Sequence, residues 1–400
     1  MENKQTSPNS LASDIKSYLL DDELLIFSKS QQRLFHLNTV AAFIWCCLEE
    51  KLDTPSIIQS LVKTFGISID QATNDLSNII DEWVSVGLLI SGTPETQKNS
   101  PPTEKNRDNL DYPFSLPDQS TFFSQRIYHL IDSDFLIRYA NKALEDIIHP
   151  LFKHLEVAEA TAQVIVLDIL TQGNDYVLFA DEQAVDFCTE KQTITPMMHA
   201  NVLMLAYEQA DCLLAIHAGA VSKGNQCILM PAVSGSGKST LTAALITEGY
   251  GYCTDDLALL SNENFQIQSA PVSLGIKEGA WPILATRYPN INDLPTFMRL
   301  DGKVVRYLPP QKNALSENNQ QHHSVKHIIF PKYQADAQVT LNRVSTADSL
   351  CRLTESGYDV GGNLEVSHVD DLIQWIRDIQ CYTLEYSSLT DAIEKIKKLF

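Results

Sequence analysis

A chain of 400 residues is too long for one ordinary core and suggests two domains. Its 50 acidic residues against 30 basic ones, a net charge of −20, and the lack of any Lys/Arg run argue against nucleic acid, and also against acidic peptides and membranes as partners. The eight cysteines (Cys46, Cys47, Cys188, Cys212, Cys227, Cys253, Cys351, Cys381) show no CxxC pair or zinc spacing. They read as reduced, buried thiols. The opening MENKQTSPNSLASDIK has no apolar h-region, and no run of about 18 apolar residues occurs, which predicts a cytoplasmic protein without a membrane span.

Leu24–Ser28 (LLIFS) and Leu34–Leu37 (LFHL), separated by polar KSQQR, predict a β-hairpin. Residues 39–50 (TVAAFIWCCLEE) read as a buried helix. Two amphipathic helices follow, one burying Ile57, Ile58, Leu61, Val62 and Phe65, the other Ala72, Leu76, Ile79, Ile80, Trp83 and Val84. Thr54 and Pro55 suit N-cap and N1, and Gly66 a stop. The outcome is a small, winged-helix-like α+β module with no catalytic constellation. His36 reads as a structural histidine, and Phe43 and Trp45 as core.

The run HLNTVAAFIWCCLEE, the FGI at Phe65–Ile67 and the closing EWVSVGLL resemble the PqqD family, over about residues 12–90. That resemblance implies a domain that binds the leader of a ribosomally made precursor peptide. Binding would be by strand addition at a sheet edge, near Leu24–Phe27 or Leu34–Leu37.

Ser91–Pro117 is rich in Pro, Ser, Asn and charge and too poor in apolar residues to offset its ordering entropy. The expected organisation is therefore a first domain over 1–90, a flexible linker over 91–121 and a second domain over 122–400. Such a linker spans roughly 30 Å root-mean-square, which sets a local substrate concentration near millimolar.

Past the linker, apolar strands (Phe135–Arg138, Val164–Ile169, Tyr176–Phe179) alternate with helical runs (Ala143–His154, Met197–Gln209), an α/β pattern. Ala232–Ser239, AVSGSGKS, fits the P-loop pattern with Ala for the first Gly; chance would supply such a match in roughly 3% of chains this long. A buried-strand run, Cys227–Met230, precedes it and a helix former follows, the setting that the motif requires. Gly235 and Gly237 let backbone amides turn toward phosphate oxygens, aided by the helix N-terminus. Lys238 supplies a point charge, Ser239 a hydroxyl for magnesium, and Thr240 a second polar contact. Ser234, Gly235, Ser236, Gly237, Lys238, Ser239 and Thr240 thus make the nucleotide-binding set.

A helix of about ten residues leaves the loop, and a strand of about five returns to the same level, so Asp255 and Asp256 should lie beside the phosphates. One carboxylate can hold metal or water while its neighbour faces the γ-phosphate, which favours phosphoryl transfer over a nucleotide switch. Adjacent aspartates also cap turns, and that reading stands beside it. A turn at Lys223-Gly224-Asn225 that pairs Ser222 with Gln226 would set His217 opposite Pro231, beside the loop. There it serves either the phosphates or the core.

IHAGAV, SGSGKST and TDD, followed by APVSLGIKEGAWPIL, HIIFPKY and CYTLEYSSLTDAIEKI, resemble the HPr serine kinase family over about residues 123–400. The fold class implied is an α/β P-loop kinase domain of the HPr-kinase type preceded by the PqqD domain. By that resemblance Lys238 is the phosphate-binding lysine, Ser239 the magnesium hydroxyl, His217 the active-site histidine and Asp256 the acceptor of the substrate hydroxyl's proton. Asp255 supports Asp256 or the metal, Glu278 is a second magnesium ligand, and Lys332 stands in for an arginine near the transferred phosphate. ATP and Mg2+ are the implied cofactors, a homo-oligomer the implied assembly, and a Ser/Thr hydroxyl of a captured peptide the expected acceptor. A small-molecule hydroxyl kinase and an ATP-gated peptide adaptor are the rival readings. The polar loop Gln311–Ser324 reads as a lid with two solvated histidines.

Overall fold

Glu23–Ser28 (ELLIFS) is apolar along its middle and pairs on both sides, antiparallel to Ile15–Leu20 and to Arg33–Leu37, which buries it from Leu24 onward. The computed structural model describes residues 10–20, 23–90, 112–117, 121–315 and 322–399. They cluster into two compact units, one within 1–104 joined by 345–351 and 363–377, the other within 105–344 joined by 352–362 and 378–400.

In the first unit the expected hairpin is present, but Ile15–Leu20 makes it a three-stranded sheet. IKSYLL lacks a period-two alternation, so its strand character comes from pairing. Of the two expected docking strands, the one holding Leu24–Phe27 is central, while Arg33–Leu37 stands at one sheet edge and Ile15–Leu20 at the other. Helices span Thr39–Glu49, Thr54–Phe65 and Ile69–Ser85. The second helix is capped one residue earlier than its sequence suggests: Asp53 accepts from the Ser56 amide at 3.0 Å, displacing Thr54 from the N-cap. Gly66, at φ +66°, ends it in the left-handed conformation.

Trp45 and Trp83 meet edge-to-face at 5.1 Å in the centre of this core. The Trp45 indole N–H donates to Glu49, 2.9 Å away, so its polar atom is satisfied. His36 pairs with Glu23 across the strands at 2.9 Å, a structural role as expected. The helix Val366–Asp378, far along the chain, contributes to the same unit, where its Asp370 accepts from Lys16 at 2.9 Å. Just before that helix, Gln32 and Leu364 exchange hydrogen bonds in both directions.

In the second unit a six-stranded sheet runs Gln183–Cys188, Asp175–Ala180, Gln163–Gln172, Ser133–Tyr139, Ser124–Leu130, Glu156–Val157. The helices Lys142–Phe152 and Ile194–Gln209 share its core. All three strands and both helices read from this stretch of sequence are present. A ten-stranded mixed sheet follows, in which Gln226–Pro231, His322–Tyr333 and Gln380–Tyr386 run parallel while most other pairs are antiparallel.

Of the expected linker, residues 91–111 and 118–120 lie outside the described residues; Tyr112 and Phe114 pack on Phe187, with ring centroids 5.7 and 5.2 Å away. Residues 316–321 of the expected lid also lie outside. Its His322 is exposed, but His323 is buried within the strand His322–Tyr333 rather than solvated. All eight cysteines are free; Cys46 is exposed, against the expectation of burial. Among the described residues no helix is long and apolar enough to cross a membrane.

Asp53→Ala should lower the unfolding free energy of the first unit by about 1 kcal/mol, and Thr54→Ala by much less, as read by denaturant titration. Equal losses would contradict the cap.

Candidate functional site

The strand Gln226–Pro231 (QCILMP) is buried from Cys227 onward because it pairs with Ala218–Lys223 on one side and His322–Tyr333 on the other. Its end delivers the loop Ala232–Gly237 to the helix Lys238–Thr247. Gly235 and Gly237 sit at φ +98° and +88°, a region that other residues enter only with strain. The loop is tied from behind: the Tyr333 amide donates to the Ser236 carbonyl at 2.9 Å, and the Tyr386 hydroxyl to the Gly237 carbonyl at 3.2 Å. A Cβ on Gly237 would collide with that hydroxyl.

The strand Gly251–Thr254 returns antiparallel to Ala218–Lys223 and ends immediately before Asp255 and Asp256. The Thr254 hydroxyl donates to the Leu257 carbonyl at 2.9 Å, fixing the turn that holds both carboxylates. Lys238 is 6% exposed, its Nζ lies 3.7 Å from Asp256 Oδ1, and it has no hydrogen-bond partner among the described residues. Asp255 is 1% exposed, and neither of its oxygens has a well-formed hydrogen bond, although the Ser239 hydroxyl is near enough to favour its ionised form. Gly219 makes room for this: a Cβ there would lie 2.6 Å from Thr242 Oγ1, 3.3 Å from Lys238 Cγ and 3.7 Å from Asp255 Oδ1.

The two carboxyls titrate apart. Burial, then the neighbouring Asp256 charge, push Asp255 above the usual carboxylate range. Against the same burial cost, Lys238, then His199, His217 and Arg299 hold Asp256 below it. Buried polar or ionic atoms lacking partners are expensive. Lys238 Nζ, Ser236 Oγ and both Asp255 oxygens are such atoms, and they form a donor and acceptor set that fits a metal-bound phosphate chain.

The hairpin places His217 one residue from its expected register. Gly224, at φ +61°, and Asn225 form a two-residue turn, so Lys223 pairs with Gln226 and Ala218 with Pro231. His217 lies opposite Ala232, whose amide donates to its carbonyl at 3.3 Å. It remains beside the loop: burial lowers its pKa, then the charge of Lys238, with Asp256 opposing. Glu278 is exposed at the start of a short 3-10 turn, and the strand before it instead delivers Lys277, whose Nζ donates to Ser234 at 2.8 Å. Among the described residues, no three His, Cys, Asp or Glu gather to hold a metal. Lys332 is exposed, lies 3.5 Å from Glu385, and borders a cavity of about 590 Å3 beside the loop.

Sequence reasoning missed four residues here. His199 is buried in an apolar helix, donates to the Ser273 carbonyl at 3.0 Å and stacks on Tyr307 at 4.9 Å. Lys277, Arg299 and Lys303 are brought together by a hairpin from separate stretches of chain. A polar residue in the apolar run ITPMMHANVLM was the one available signal for His199; nothing in the sequence pairs the other three.

Residues 23–89 match the family model described as Coenzyme PQQ synthesis protein D (PqqD), so the first unit carries a PqqD domain, as its motifs implied. A solved structure titled "TbiB1 in Complex with the TbiA(beta) Leader Peptide" is 21% identical, covers 22% of this chain and 99% of its own, and has a TM-score of 0.21. The "Structure of the Hpr(Ser) kinase/phosphatase from Coxiella burnetii" is 15% identical, with coverages of 46% and 92% and a TM-score of 0.22. No curated protein matches the chain.

Asp255 binds its proton more tightly in the folded protein than in the unfolded chain, so stability falls as pH rises from about 4 through its raised folded value. In nucleotide-free protein, Asp255→Asn should therefore raise Tm by about 3 °C or more at pH 8 and by little at pH 4.5. A variant less stable than the parent at pH 8 would contradict the assignment. Gly219→Ala should destabilise by roughly 1–3 kcal/mol in thermal or denaturant unfolding through overpacking against Thr242 and Lys238, whereas an unchanged stability would mean the space is not needed.

Proposed function

We propose that this chain is a Mg-ATP-dependent kinase that transfers the γ-phosphate to a Ser or Thr hydroxyl of a peptide captured by its PqqD domain. The observation that carries this reading is the buried Lys238 ammonium, without a hydrogen bond, facing Asp256 at 3.7 Å across the end of a glycine-rich loop. A nucleotide switch needs the loop and one metal aspartate, whereas a second carboxylate held ionised beside the lysine suits proton removal.

In this reading the loop residues Ser234–Thr240 bind the phosphates, with Lys238 Nζ reaching their oxygens. Ser239 and Asp255 would hold magnesium, which supplies charge neutralisation on the phosphate oxygens. Asp256 orients the acceptor hydroxyl. It takes the proton as the acceptor oxygen bonds to the γ-phosphorus and the bond to the β,γ-bridging oxygen breaks, ADP leaving with that electron pair. Lys238 keeps Asp256 ionised, and His217, beside the loop, is placed to orient the phosphates. The cavity beside the loop would take the nucleoside. For capture, the PqqD match and the edge position of Arg33–Leu37 support strand addition there.

Full-length protein should transfer label from γ-labelled ATP to Ser- or Thr-containing peptides, and Asp256→Asn should lose about 100-fold or more in kcat while still binding nucleotide. A parent that binds ATP and labels no peptide would favour the adaptor. Label passing only to small alcohols would favour a metabolite kinase.

A further inference from the structure

In a chain of net charge −20, two lysines converge on one loop residue and an arginine joins them. Lys277 Nζ donates to Ser234 Oγ at 2.8 Å, and Lys303 Nζ to the same oxygen at 3.4 Å. Arg299 joins them through Asp301, which lies 3.5 Å from Arg299 and 2.9 Å from Lys303. The arrangement is built by the backbone. Strands Leu274–Lys277 and Val304–Leu308 pair with Lys277 opposite Val305, and the turn Arg299–Lys303 is closed by the Arg299 amide on the Lys303 carbonyl at 2.9 Å.

Asp301, with Asp256 at longer range, opposes three cations, so the cluster keeps a surplus of positive charge. Burial, then Lys303 and Arg299, make protonation of Lys277 harder, with Asp256 and Asp301 opposing. Arg299 and Lys303 remain 42% and 44% exposed at their side chains, so a ligand can reach them. Two further observations say which ligand. Arg299 acts on Asp256, the group that faces the acceptor hydroxyl in the proposed reaction, and on His199 beside it. None of the three cations lines the cavity on the loop that suits a nucleoside. Ser234, which the two lysines hold, lines that cavity, so the cations stand at its border rather than inside it.

We infer that Lys277, Arg299 and Lys303 form an acceptor site that selects peptides carrying Asp or Glu next to the phosphorylated hydroxyl. This rests on the kinase reading and narrows its substrate class to acidic peptides, which net charge alone argues against. Whole-chain charge sets long-range steering, whereas recognition is decided by the few charges within a Debye length of about 8 Å.

The test uses full-length protein and paired synthetic serine peptides of one sequence, with Glu or Gln flanking the serine. Transfer from labelled ATP and peptide binding in the presence of ADP are both measured. The parent should favour the Glu peptide by about tenfold or more in kcat/KM and in affinity. The double variant Arg299→Gln/Lys303→Gln should shrink both preferences to about twofold or less, with KM for ATP within about twofold of the parent. Transfer without preference in the parent overturns the inference and leaves the kinase reading standing. A variant that raises KM for ATP while keeping the Glu preference also overturns it, by assigning the cluster to the nucleotide phosphates. Selective binding of the Glu peptide, lost in the variant but with no transfer in either protein, supports the anion site and overturns the kinase reading. Neither transfer nor selective binding overturns both.

Discussion

The Lys238 ammonium, buried 3.7 Å from Asp256 and bonded to nothing, sets the terms for the second unit. Taking the Lys238 ammonium and the Asp255 carboxylate out of water costs several kcal/mol per ion unless other groups compensate. This protein leaves the compensation incomplete. The surrounding features make sense as means of holding that unfavourable group in place: a central strand buried from Cys227 onward, a loop tied by Tyr333 and Tyr386, and a glycine at 219 where a Cβ would collide with Thr242 and crowd the lysine. The apolar cluster that contains Leu241, Leu245, Ile393 and Ile396 secures the helix on which the lysine stands. A site kept short of partners is one prepared for a ligand that supplies them.

The pairing of this site with a PqqD domain gives its economy. A domain that captures one part of a peptide leaves the catalytic unit with little to recognise, so a modest contact near the acceptor hydroxyl suffices when the local concentration is high. In the proposed reading the partly exposed cluster of three cations would be such a contact. Its individual pairings are weak, since exposed charges are screened by water and salt, but together they would discriminate one peptide from another.

Legibility in the sequence followed the range of the interactions. The loop, its helix and the short return to Asp255 and Asp256 are local, and their spacing alone brought lysine and carboxylates together. The three helices of the first unit and their cores were equally visible, because amphipathic periodicity is written along the chain. The strand Ile15–Leu20 was not, because its pattern does not alternate, and neither was the helix Val366–Asp378 as a neighbour of Lys16, some 350 residues away. The hairpin at Gly224 shows how fine the margin is: a two-residue turn in place of three moved every pair by one, and His217 kept its place beside the loop because its new partner, Ala232, is the loop's first residue. Lys277, Arg299 and Lys303 meet only through strand pairing, so no composition argument could have found a basic patch in so acidic a protein.

On the proposed function, Lys238, Ser236 and Asp255 lack partners because a metal-bound nucleotide would provide them. A crystal structure of the full chain with magnesium and a non-hydrolysable ATP analogue checks this. Lys238 Nζ and Ser236 Oγ should then lie on phosphate oxygens, with Asp255 and Ser239 at the metal. An analogue bound elsewhere, or a triphosphate in the loop that leaves Lys238 and Asp255 still unpartnered, would contradict it.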